Sequence, residues 1–116
     1  MDVRANAGGD DLAAGTAASR FTEIAFLGLE REARVVSALN PECAFNYTPL
    51  HSLCIFPETP NLTNRRVIVL TSAGTVSAAA IFVLFMKTIP GHSITVIGET
   101  TQGKFLCGCV EMWCGF

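Results

Sequence analysis

"RRVIVLTSAGTVSAAAIFVLFMKTIPGHSITVIG", Arg65 to Gly98, is the stretch whose reading decides the fold. Its first part, Val67 to Leu70, is an unbroken apolar and largely β-branched run, the pattern of a strand buried on both faces. A turn of small residues follows, and then "VSAAAIFVLFMKTI", a helix-length apolar stretch stopped by Pro90-Gly91. "SITVIG" reads as a second buried strand. Strand, helix and strand of these lengths predict a right-handed βαβ unit whose two strands are parallel neighbours. The fold class expected is therefore α/β.

The junction between the first strand and the helix carries hydroxyls at Thr71, Ser72, Thr75 and Ser77. In open α/β sheets, reactive groups collect where strands end and helices begin. Ser77 is expected in the first turn of the helix, facing a crevice, where unpaired backbone N–H groups point at whatever binds beside it. A hydroxyl that attacks a carbonyl creates an oxyanion, and such N–H groups stabilise it. The competing reading is helix capping, a common use of Ser and Thr at this place. On the local sequence alone, capping of the helix by Thr75 or Ser77 is the better reading.

Outward from this unit the chain is less regular. "MDVRANAGGDD" opens with a strand-like Asp-Val-Arg and a glycine turn, and Asp10 or Asp11 can N-cap a helix over "DLAAGTAASRF". That helix places Leu12, Ala13 and Ala17 on one side, and Gly15 weakens it by about 1 kcal/mol relative to alanine. From Glu23 to Asn64 the periodicity dissolves: Pro41, Pro49, Pro57 and Pro60 exclude a long helix, and no stretch alternates as a strand should. The organisation expected is one domain over residues 1–116: strand, turn and helix over 1–22, an irregular segment over 23–64, the βαβ unit over 65–106 and a tail over 107–116.

Composition narrows the function classes. The chain has 116 residues, half of them hydrophobic, and a formal net charge of −2. With no basic face beyond Arg65-Arg66, a nucleic-acid partner is not expected, because phosphate neutralisation needs clustered cations. The longest apolar run, Val76 to Met86, is too short to span a bilayer, and the first residues lack the apolar core of a secretory leader. The compartment and the oligomeric state stay open. The five cysteines, Cys43, Cys54, Cys107, Cys109 and Cys114, are odd in number and form no CxxC pair, so neither a closed disulfide framework nor a zinc site is expected. No metal or cofactor is called for.

Three short segments then speak together. "DVRANAGG" resembles the strand-turn DxRxNxGG of the C-terminal processing, or tail-specific, serine peptidases; "TVSAAAIF" resembles their nucleophile segment, T-x-S-A-A-E-I-F; and "VIGETTQGK" resembles the strand-turn that follows it. Order and approximate spacing agree over residues 1–21 and 66–105. The resemblance implies part of the spiral ββα core shared by ClpP- and crotonase-like proteins, acting on a peptide or protein substrate. It makes Ser77 the nucleophile of an acyl-enzyme. It assigns the oxyanion hole to the backbone N–H of Ala78 and one from the Gly8-Gly9 turn, and the general base to Lys104. Such a lysine must be held neutral, which takes a dry pocket that lowers its pKa from about 10.4 toward roughly 7–8.

The departures from that family are specific. The glutamate three residues after the nucleophile is Ala80 here, and the Val-Gln pair expected after the lysine is absent from "KFLCGCV". In the branch that uses a histidine base, Glu99 is the candidate supporting acid; His51 and His92 match no motif. The chain reads as an incomplete catalytic domain, and little or no peptidase activity is expected of it alone. Two alternatives remain: a non-catalytic peptide-binding module of the same fold, and a crotonase-like enzyme acting on acyl-CoA thioesters without a serine nucleophile.

Overall fold

The computed structural model describes residues 1–32, 34–35, 46–103, 106–107 and 110–111. The elements run α1 (Asp11–Ser19), β1 (Phe26–Arg31), β2 (Arg34–Val35), β3 (Asn46–Tyr47), β4 (His51–Ile55), β5 (Val67–Thr71), α2 (Ala78–Thr88), β6 (Ile94–Gly98), β7 (Leu106–Cys107) and β8 (Val110–Glu111). The architecture is mixed α/β, and the expected βαβ unit is present: β5 and β6 pair in parallel from Val67 opposite Ile94 to Thr71 opposite Gly98. Residues 1–3 extend the sheet on the other side of β5. Asp2 bridges Leu70 in parallel, Leu70 N–H donates to Met1 O at 2.8 Å, and Val3 N–H donates to Leu70 O at 3.0 Å.

The apolar side chains between β5 and β6 explain why α2 exists at all. Ile81, Phe85 and Met86 are buried together with Val67 and Val69 of the sheet. Burial continues nearly all round the helix, through Ala78, Ala79, Ala80, Phe82 and Val83, because α1 lies against it. A helix that is apolar on every side is one with neighbours on more than one side. The other face of the sheet behaves differently from expectation. Ile68 is 42% exposed and Ile97 51%, so among the described residues only one face of β5 is covered. The unbroken apolar run overstated the burial because both described helices lie on the same face.

Helix α1 begins at the expected cap, with Asp10 Oδ1 accepting from Leu12 N–H at 2.9 Å. Its buried face is Ala14, Gly15, Ala18 and Ser19, and Leu12 is left exposed. Gly15 has a packing reason: a Cβ there would come within 3.0 Å of Ile55 Cδ1 on β4. The stretch 23–64, read from the sequence as irregular, contains an antiparallel arm. β1 pairs with β4 from Phe26 opposite Ile55 to Arg31 opposite His51, with a register shift between Leu27 and Leu29. That shift, at Gly28, inserts a residue and breaks the alternation by which a strand is recognised. The segment after β4 is tied back to the end of α1: Glu58 N–H donates to Ser19 O, Leu62 N–H to Arg20 O, and Asn61 Nδ2 to Thr22 O.

Of the cysteines, Cys54 is a free, exposed thiol; Cys43, Cys109 and Cys114 lie outside the described residues. Among the described residues no helix is long and apolar enough to cross a membrane.

Candidate active site

Strand β5 ends at Thr71, and the next six residues turn the chain into α2. Three of the hydroxyls in this turn are struts. Thr71 Oγ1 donates to Glu99 O at 2.8 Å, fastening the turn to the end of β6. Ser72 Oγ donates to Arg4 O at 2.6 Å and accepts from Gly74 N–H at 2.9 Å. Thr75, fully buried, donates from Oγ1 to Val3 O at 2.9 Å and accepts from Ser72 N–H at 3.1 Å. None of the three caps α2. Glu99 adds a fourth brace, its Oε2 accepting from Ala73 N–H at 3.1 Å.

Ser77 is the exception. It occupies the N-cap position, one residue before the helix, yet its side chain makes no capping hydrogen bond. Its backbone sits at φ 54° and ψ −129°, and it is the one non-glycine residue with positive φ among the described residues. A conformation of this kind typically costs on the order of 1–3 kcal/mol for a residue with a Cβ and persists only where the surroundings impose it. The surroundings here are the braces just described, plus Val76 N–H donating to Asn6 O at 3.1 Å. A serine on a strained strand-to-helix turn presents its hydroxyl instead of folding it back onto the helix end.

The glycine turn expected to face Ser77 does so. A Cβ on Gly8 would come within 2.6 Å of Ser77 Cβ, 2.8 Å of Val76 O and 3.1 Å of Ala78 N. Gly8 also has φ 103°, so glycine is required on both counts. The Gly8 N–H, however, is already committed, donating to Asn6 Oδ1 at 2.9 Å. At Gly9 a Cβ would meet nothing within 4 Å. Asn6 is a residue to which the sequence reading assigned no role. Its side chain holds Gly8 and its main-chain carbonyl holds Val76, so one residue links the glycine turn to the serine turn. The signal was present in the Asn-x-Gly spacing, since an asparagine carbonyl readily accepts from the N–H two residues on.

Beside these groups lies a cavity of about 350 Å³ whose lining includes Asn6, Gly8, Asp10, Ala17, Ala78 and Phe82. Lys104 lies outside the described residues, so its place relative to Ser77 is no part of this geometry. His92 has a buried Nε2 without a hydrogen-bond partner, and His51 lies at the far end of the β1/β4 arm, opposite Arg31. Among the described residues no three His, Cys, Asp or Glu side chains gather into a group that could hold a metal ion.

The family model for peptidase family S41 matches residues 1–110. The chain belongs to peptidase family S41. A crystal structure of a candidate peptidase from Parabacteroides merdae ATCC 43184 is similar to this S41 chain, at 31% identity and a TM-score of 0.71. The similarity covers 90% of this chain and 31% of the other, so the S41 chain spans about a third of that structure's length. Among curated proteins, none matches it.

Proposed function

We propose that this chain carries the nucleophile and oxyanion site of a serine endopeptidase of the tail-specific type, acting on peptide or protein substrates. The observation that carries the reading is Ser77: a strained, uncapped serine at a strand-to-helix turn, held against a glycine turn by its neighbours' hydrogen bonds. In the reaction, Ser77 Oγ attacks the scissile carbonyl carbon and its proton passes to neutral Lys104 Nζ. The oxyanion is held by the Ala78 N–H and an N–H of the glycine turn. Because Gly8 N–H is spent on Asn6, Gly9 supplies the second donor. Collapse of the intermediate breaks the C–N bond, and the departing amine takes the proton from Lys104. Water then attacks the ester by the same route and frees Ser77. Each oxyanion donor contributes about 2.7–4 kcal/mol to the transition state.

The test uses a fluorophosphonate probe, which reports an activated serine even when turnover is slow. With little turnover expected of this chain alone, the reading expects slow covalent labelling that is abolished in Ser77→Ala. Labelling that survives Ser77→Ala contradicts it.

A further inference from the structure

The turns that follow β5 and β6 stay joined after the sheet ends. The last rung of the parallel ladder sets Thr71 opposite Gly98, and Glu99 N–H donates to Thr71 O at 3.1 Å. Four residues further along one chain and three along the other, they meet again: Gln102 N–H donates to Thr75 O at 3.2 Å. Between these bonds, Thr71 Oγ1 donates to Glu99 O and Ala73 N–H donates to Glu99 Oε2. Thr75 ties this stitching to the core. It is fully buried, and each of its polar atoms is used. Its N–H donates to Ser72 O at 3.0 Å, its Oγ1 donates to Val3 O and accepts from Ser72 N–H, and its carbonyl takes Gln102.

Thr75 stands two residues before Ser77, and Gln102 two residues before Lys104. We infer that Thr75 is a positioning residue: its buried hydroxyl aims its carbonyl at Gln102, and this bond sets the spacing between the serine turn and the segment that leads to Lys104. The functional half of the inference rests on the proposed peptidase reading. Proton transfer needs the hydroxyl and the amine within about 3 Å of each other. A displacement of about 1 Å caused by a substitution away from the chemistry can slow a reaction about a hundredfold. Thr75 touches neither substrate nor reacting atoms, so its effect passes through the two segments it joins.

The test follows the rate of fluorophosphonate labelling at Ser77 in the full chain from pH 6 to 9. The slow labelling of the unsubstituted chain is expected to rise with pH as the lysine gives up its proton. Thr75→Val removes the hydroxyl at nearly constant shape, and should label about tenfold more slowly or worse and lose the rise. Thr75→Ser restores the hydroxyl and should recover both. Gln102→Pro deletes the donor at an exposed position, leaves the buried threonine in place, and should behave as Thr75→Val even where that variant does not fold. A folded Thr75→Val or Gln102→Pro chain with an unchanged rate, or a slower one whose rise with pH is intact, overturns the inference. Amide hydrogen exchange at Gln102 separates this from failure of the nucleophile. If Ser77 labels in no variant, the peptidase reading falls. Protection of Gln102 that is present in the unsubstituted and Thr75→Ser chains and lost in Thr75→Val still shows the threonine holding the segment. Protection absent throughout, or surviving Thr75→Val, rejects it.

Discussion

Gly8 and Gly28 each permit a close approach that a Cβ would block, and they use the contact differently. At Gly28, in the bulge of the β1/β4 arm, an added Cβ would come within 2.9 Å of Ile55 Cγ1 and 3.0 Å of Phe85 Cε1. The glycine there lets an apolar strand settle onto α2. At Gly8, an added Cβ would meet Ser77 Cβ and the first backbone N–H of α2 instead. The arm is held by side-chain burial, whereas the serine turn is held by hydrogen bonds from Thr71, Ser72, Thr75, Asn6 and Glu99. Polar bracing of this kind has direction, and direction is what a strained residue needs to stay strained. The arm supplies stability; the serine turn consumes some of it to present one hydroxyl.

The comparison can be broken from the arm side first. Phe85 is fully buried and touches both the arm and the core. Phe85→Ala should cost about 3–5 kcal/mol in chemical denaturation, the range for deleting a buried aromatic ring. A loss below about 1 kcal/mol would mean that the arm does not pack as described. On the serine side, Gly8→Ala places a methyl at positive φ against Ser77, and a destabilisation of roughly 1–3 kcal/mol is expected from the backbone conformation alone. The same change should slow probe labelling far more than any change in the arm that leaves the chain folded. Equal slowing by both would erase the distinction between the regions.

A finer cut comes from Asn6. Asn6→Ala removes the acceptor for Gly8 N–H and should cost about 1 kcal/mol while slowing labelling. Asn6→Asp keeps an acceptor oxygen, so labelling should recover in Asn6→Asp relative to Asn6→Ala. Identical rates for the two would show that the side-chain carbonyl does not position the turn.

How much of this was legible in the sequence follows the same division. The βαβ unit announced itself because β5, α2 and β6 are each local and continuous, and Pro90 ends the helix cleanly. The "TVSAAAIF" segment and the glycine turn could be matched because their residue types answer to local backbone demands, positive φ at Gly8 above all. The arm was not legible. Its strands are joined by tertiary pairing between Leu29 and Leu53 across the chain, and the bulge at Gly28 destroys their alternation. Nor could sequence say which hydroxyls are struts: Ser72 and Thr75 find their partners at Arg4 and Val3, about seventy residues away in the chain. The exposure of Ile68 was hidden for a related reason, since an apolar run reports what a strand tolerates and not which faces are covered.

The smallest effect expected lies at the edge of the serine side. The Arg4 guanidinium bonds Asp2 at 2.6 Å and holds its carboxyl down to about 2, from an ordinary value of 3.8. A depressed carboxylate contributes stability that is present above about pH 4 and is lost as pH falls toward 2. The pair is exposed to solvent, so the contribution is small and screened by salt. Melting curves between pH 5 and 2 should show a slightly shallower acid loss for Asp2→Asn than for the unsubstituted chain. Coincident curves would show that the pair contributes nothing.

The central claim is that one hydroxyl of the junction is reactive and the other three are structural. It is tested most directly by labelling the chain with a fluorophosphonate, digesting it and mapping the modified residue by tandem mass spectrometry. The account predicts modification at Ser77, with Thr71, Ser72 and Thr75 unmodified. Modification at any of those three, or an unmodified Ser77 in protein shown by circular dichroism to be folded, would contradict it.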